Sequence, residues 1–253
     1  MTQDPGWLGT LTGRRLLSEE VRELRRVLDG VFGDQLVQIG TWGGAGRFRR
    51  LARTRRTAVF APLALQGVDV VSMADSLAIA SESVDAVLLP HTLDLVEDPH
   101  ALLREVGRIL RADGQLVILG FNPWGWWGGR HLLSGRHFPP GSRRMISRRR
   151  LHDWLRLLDF QVQHSVFYHF FLPALLRRRT RSRRPPVSME QTGRHGGRRT
   201  PREPLLRRVA VFAGCYVLVA RKQTFLVTPI RMTWRRPAPV VGGLVNPTMR
   251  SDA

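Results

Sequence analysis

The chain is 253 residues long, 43% apolar, with a formal net charge of +20. That length and apolar content suit one α/β domain with additions, and exclude a disulfide-stapled miniprotein or a chain too polar to fold. Cys215 is the only cysteine, and no CxxC or Cys/His cluster exists, so neither an internal disulfide nor a metal site is expected.

The first residues, MTQDPGWLGTLTGRR, lack the basic and apolar regions of a secretory signal. Ser18-Glu-Glu-Val-Arg-Glu-Leu opens an amphipathic helix with Ser18 as N-cap, running to Gly30. It belongs to an N-terminal helical extension over 1–33. Residues 35–39 (QLVQI) read as a buried strand running into a turn with Gly40, Gly43, Gly44 and Gly46. A basic helix is predicted over 47–53, then strands over 57–61, 68–71 and 84–89. Asp98 caps a helix over 99–110, with Leu102, Leu103, Val106 and Leu110 on one face. Asp113-Gly114 then turns the chain into a strand over 115–119.

Past Asn122 the pattern changes to a Trp- and Gly-rich loop, PWGWWGG, within a lid over 123–146. A helix is predicted over 147–158, and strands over 161–167 and 209–219 form a terminal antiparallel hairpin. Between them, 177–208 is crowded with Arg, Pro, Gly and Ser and reads as a long mobile loop. The domain therefore spans 34–222, and 223–253 reads as a disordered tail. The apolar runs 166–176 and 209–220 fall short of the roughly 20 residues a spanning helix needs. A cytoplasmic protein is expected.

Strands alternating with helices predict an α/β fold with a mostly parallel sheet. The residues that carry a family likeness are Asp75-Ser-Leu-Ala-Ile, Val84-Asp85-Ala-Val87, His91-Thr-Leu93, Val96-Glu97-Asp98-Pro99, Leu103-Arg-Glu105 and the run from Arg108 to Gly114. Together they resemble the class I S-adenosylmethionine-dependent methyltransferases of the small-molecule type, over 34–122 and more weakly 147–220. The Phe121-Asn-Pro sequence is similar to a small proteobacterial branch of that family. The resemblance implies a Rossmann-like three-layer sandwich with a seven-stranded sheet, and S-adenosyl-L-methionine as cofactor.

It also implies a site. Gln38 stands where the family has an acid, followed by Gly40, Gly43 and Gly44, with Trp42 in place of a glycine. The stretch Phe60-Ala61-Pro62-Leu63 has no acid for the ribose. Asp75 and Ser76 match the adenine-side segment, although the commonest alignment puts its acid on Met73. His91 is the candidate base and a cofactor-side residue, or else only a loop-positioning group. Asn122 could orient an acceptor or form an Asn-Pro turn. Trp124, Trp126 and Trp127 could wall a flat or lipid-like acceptor or pack the lid.

Of the 40 basic residues only Lys222 is a lysine, which points to a coding bias toward arginine as much as to a phosphate-binding surface. The 177–208 segment thus has three readings: an RNA contact, an anionic-membrane contact following the apolar run 167–176, or a solvated loop. The functional expectation is methyl transfer to an unidentified small or lipid-like acceptor. The alternatives are a non-catalytic binding module built on the same fold, and an RNA-directed methyltransferase.

Overall fold

The computed structural model describes residues 5–133, 138–170 and 213–223. Its elements in chain order are α1 (Pro5–Leu8), α2 (Leu11–Leu28), β1 (Gln35–Ile39), β2 (Arg56–Ala61), β3 (Val70–Val71), β4 (Val84–Pro90), α3 (Thr92–Leu95), α4 (Pro99–Ile109), β5 (Leu110–Phe121), α5 (Trp126–Leu133), α6 (Arg148–Leu157), β6 (Phe160–Phe170) and β7 (Ala213–Lys222). The strands form one sheet in the order β3-β2-β1-β4-β5-β7-β6. The first five are parallel, and β7 runs antiparallel to both β5 and β6. The strand order reverses between β1 and β4, so the crevice for a ligand opens beyond their carboxyl ends.

Each face of the sheet is covered by helices whose apolar spacing fits it. Leu102, Leu103, Val106 and Ile109 of α4, with Leu151 and Leu155 of α6, pack on one face against Val87, Leu116 and Leu218. Leu16, Leu24 and Leu28 of α2 pack on the other against Leu88, Val117 and Val217. Truncating any one of these leucines to alanine costs about 2–5 kcal/mol, through lost transfer energy and the cavity left behind. The Asp98 carboxylate accepts from the backbone amides of His100 (2.8 Å) and Ala101 (3.0 Å), which fixes the start of α4 as expected.

Several local expectations are corrected. Ser18 is interior to α2, and its hydroxyl donates back to the Arg15 carbonyl. The N-cap is Thr10, whose side chain accepts from Gly13 N, because Leu16 and Leu17 extend the buried stripe upstream. The basic helix expected over 47–53 shrinks to one 3-10 turn, Arg49–Leu51. Phe48 is its buried anchor, and within the turn Arg49 and Leu51 are only half-buried. The lid holds a helix, α5, where a loop was expected. The 177–208 segment and the tail from 224 onward lie outside the described residues, as does the 209–212 part of the last predicted strand.

Candidate functional site

The carboxyl edge of the sheet divides into an open half, beyond β1 and β2, and a filled half, beyond β4 to β7. In the open half, Gly40 ends β1 with its amide bonded to the Phe60 carbonyl at 2.8 Å and φ at 98°. A Cβ there would come within 2.8 Å of the Thr92 hydroxyl oxygen. Only glycine fits that close approach and that left-handed backbone. Gly43 and Gly44 also have positive φ, and Gly44 faces open space.

A cleft of about 330 Å³ runs past this turn, lined by Gly40, Thr41, Ala61, Pro62, Ala74 and Val96 among others. Beside it lies a larger cavity of about 740 Å³ between the N-terminal helices and the glycine turn. Thr41, Leu63 and Leu65 line both. Among the described residues neither is lined by a carboxylate or a histidine. The charged lining groups are Arg14 and Arg47 in the cavity and Arg143 in the cleft.

The filled half is organised around His91. It follows Pro90 in left-handed backbone (φ 53°) and turns its ring into the protein, where it is fully buried. Nε2 lies 2.9 Å from Glu20 of α2, and Nδ1 lies 3.4 Å from Asp94. The ring stacks on Phe121 at 4.0 Å between centroids, with Trp42 on its other contact at 4.7 Å. The Trp42 indole donates to the second oxygen of Glu20 at 3.0 Å. Asp94 also accepts from the Phe121 amide at 3.0 Å.

Burial alone lowers an imidazolium's pKa, but hydrogen bonds and charge from Asp94 and Glu20 outweigh it and raise that of His91. Burial raises that of Asp94 despite the same imidazole. A second pair repeats the device: His169 Nδ1 sits 2.9 Å from Glu19, and its ring stacks on Trp127. Gly214 gives room for that indole, since a Cβ there would meet it at 2.4 Å.

The other predicted positions separate. Gln38 is fully buried; its amide nitrogen donates to the Gly40 carbonyl at 2.9 Å, while Oε1 has no partner among the described residues. Asp75 and Ser76 are exposed and do not line the cleft, whereas Ser72 and Ala74 do. Asn122 is a turn residue: its amide donates to the Ala213 carbonyl at 2.8 Å and its oxygen accepts from Trp124 N at 3.2 Å. The three tryptophans do not form one wall, because Trp127 is buried while Trp124 (76% accessible) and Trp126 (49%) are exposed. A base role for His91 also lacks geometry, since both ring nitrogens face protein carboxylates and neither lines a cavity.

Sequence reading missed Glu20, Thr92, Arg14 and Arg47. A signal for Glu20 existed: it occupies the i+4 row Leu16–Glu20–Leu24–Leu28, and a carboxylate on an apolar stripe needs a buried partner.

Residues 47–118 match the family described as Methyltransferase domain, beginning just past the glycine turn. The uncharacterized protein YafS of Escherichia coli (strain K12) is 34% identical over 222 residues, covering 85% of this chain and 80% of YafS. The chain belongs to the YafS family. Its core, over residues 47–118, matches a methyltransferase domain. The fold agrees. A Thermotoga maritima structure described as an SAM-dependent methyltransferase, possibly a histamine N-methyltransferase, aligns with a TM-score of 0.58 at 21% identity, covering 87% of this chain and 94% of that one. A geranyl diphosphate methyltransferase in complex with SAM aligns with a TM-score of 0.52 at 20% identity, covering 85% and 92%.

The residues present fit that cofactor through backbone and shape. The left-handed glycines leave the turn open, and the 330 Å³ cleft lies beside it at the strand ends. The orphaned, buried Gln38 oxygen supplies an acceptor next to the turn without the charge of the family's acid. Ala61-Pro62-Leu63 gives the cleft an apolar wall at the place of the family's ribose acid.

Proposed function

We propose that this methyltransferase acts on a small, largely apolar acceptor held in the 740 Å³ cavity between α1, α2 and the glycine turn. The observation behind this reading is the cavity's lining. Leu8, Leu17, Ala45, Leu63 and Leu65 supply apolar walls, and the cavity shares Thr41 with the cofactor cleft. A pocket of that kind binds by burying apolar surface and orients its ligand through a few polar groups.

Bound S-adenosylmethionine supplies an activated methyl group on a sulfonium centre. The chain's own work is to align the acceptor and exclude water. The Gly40–Thr41 turn places cleft and cavity in register. The α1–α2 corner roofs the cavity, and it is tightly built, since a Cβ on Gly13 would meet the Trp7 carbonyl at 2.5 Å. The rings of Trp7, Trp42, Trp127, Phe121 and Phe138 fill the other half of the edge and keep it dry. Among the described residues no histidine, carboxylate, lysine, cysteine or tyrosine lines the cavity, which suits an acceptor that is nucleophilic without help from a base.

Incubation of the full chain with methyl-labelled S-adenosylmethionine and fractionated cell extract tests this. Label should enter the organic-soluble small-molecule fraction. Label confined to RNA would favour a polymer acceptor reached through 177–208. Binding of S-adenosylhomocysteine without any labelled product would favour a non-catalytic module.

A further inference from the structure

We infer that the acceptor is an amphipathic carboxylic acid, held by Arg14 and Arg47 and methylated on its carboxylate oxygen to give a methyl ester. The inference rests on the methyl-transfer reading and narrows it. It grows from two features of the same cavity: the charged groups it contains, and those it lacks.

Among the described residues the cavity holds two guanidiniums and no acid. Arg14 projects from the exposed side of α2, and its guanidinium pairs with no carboxylate among the described residues. Arg47 follows the glycine turn, where its Nε donates to the Gly43 carbonyl at 2.8 Å and sets the direction of the side chain. Guanidiniums recognise planar oxyanions with directed pairs of N–H bonds. The remaining lining is mostly aliphatic and suits a hydrocarbon body. The ligand that matches both parts has an anionic head and an apolar tail.

The missing base narrows the chemistry further. An alcohol, phenol or ammonium acceptor must lose a proton at neutral pH, and none of the described residues lining the cavity takes one. A carboxylic acid, with a pKa of about 4 to 5, is already ionised. One carboxylate oxygen bonds to the methyl carbon while the carbon–sulfur bond breaks and its electron pair stays on sulfur. The products are a neutral methyl ester and a neutral thioether, and no proton moves.

The cofactor's own amino-acid carboxylate is the other anion within reach of the turn. Volume argues for a separate ligand, because the cavity is more than twice the size of the adjoining cleft and exceeds what an amino-acid end fills.

The test uses the full chain saturated with S-adenosylhomocysteine and, as probes, decanoate, decan-1-ol and decyl phosphate in calorimetry. Decanoate should bind saturably and decan-1-ol should not. Arg14→Gln, at an exposed position without a described partner, should weaken decanoate about tenfold, as expected for loss of a charge-assisted pair, and leave S-adenosylhomocysteine affinity unchanged. Arg47→Gln should weaken decanoate likewise, and Arg47→Lys should restore part of that loss. With S-adenosylmethionine, decanoate should yield methyl decanoate at a rate flat between pH 6 and 9. Equal binding of decan-1-ol, tighter binding of decyl phosphate, or a loss confined to S-adenosylhomocysteine would each overturn the assignment. Labelled organic products that release no methanol in alkali would also overturn it, while leaving the methyl-transfer reading intact.

Discussion

The two halves of the sheet's carboxyl edge spend their polar groups in opposite ways. Beyond β1 and β2 the site is made of backbone, from Gly40, Gly43 and Gly44, and among the described residues its walls carry no acid. Beyond β4 to β7 the space is occupied by stacked rings, with Glu20, His91 and Asp94 buried among them. The carboxylates absent from the open half are therefore matched by carboxylates invested in the closed one. Their task there is mechanical. Glu19 and Glu20 tie α2 to His169 and His91, while Arg14, Leu17 and Ser18 of the same helix face the cavity. The closed half holds the roof of the open half.

The sharpest way to break this arrangement is to remove one member of the buried cluster. Glu20→Ala leaves the His91 and Trp42 donors without their partner in a fully buried site. Removing one partner of a buried ion pair costs about 3–5 kcal/mol, so this change should give the largest loss in urea unfolding. A double-mutant cycle with His91→Ala should show strong coupling, and additive losses would separate the two residues.

Gly40→Ala should act mainly on the open half. The new Cβ meets Thr92 Oγ1 at 2.8 Å and must adopt φ 98°. Strain of that type costs about 1–3 kcal/mol. Affinity for S-adenosylhomocysteine should fall more steeply than stability, because the turn itself must shift. Calorimetry and urea unfolding of the same sample compare the two directly.

The closed half should also give the protein a pH signature. The folded pKa of His91 is raised, so its stabilisation is complete below its unfolded value, near 6.5, and is lost as pH rises through the folded value. Asp94, raised by burial, acts in the same direction. Glu19 opposes them at low pH: burial would raise it, but His169 and Arg15 hold it below the usual range, so its contribution is lost on acidification. Urea stability should therefore decline as pH climbs above about 6.5, and each unit of upward shift in His91 is worth about 1.4 kcal/mol. His91→Gln should flatten that decline.

Much of the fold was legible because its signals are local. The alternation of buried strands with capped helices placed β1, β2, β4, α4 and α6, and Asp98 performs the capping role its position announces. The cofactor turn was equally visible as a run of glycines. The closed half was harder to see because it is assembled across 71 residues, between Glu20 and His91, and 150, between Glu19 and His169. Trp42 shows the difficulty well. Counted against a glycine pattern it is a defect, but in space it is the indole that holds Glu20. Arg14 and Arg47 carried no signal of their own in a chain already crowded with arginine.

Asp75 sets the two readings against each other with the smallest expected effect. Sequence likeness makes it an adenine-side anchor, and losing such a contact should weaken S-adenosylhomocysteine measurably. The structure leaves its side chain exposed, with Ser72 and Ala74 lining the cleft in its place. The nearby loop is held instead by Glu105, which accepts from Leu77 N at 2.8 Å, and by Arg108, which donates to the Leu77 and Ile79 carbonyls. Those bonds stay intact when Asp75 changes. Asp75→Asn should therefore shift affinity by less than about threefold and stability by less than about 0.5 kcal/mol, the ordinary range for an exposed substitution. Glu105→Gln should disturb the loop, and with it the cleft, more than Asp75→Asn does. The reverse ranking in calorimetry would return Asp75 to the cofactor and mean that the loop closes inward when the cleft is filled.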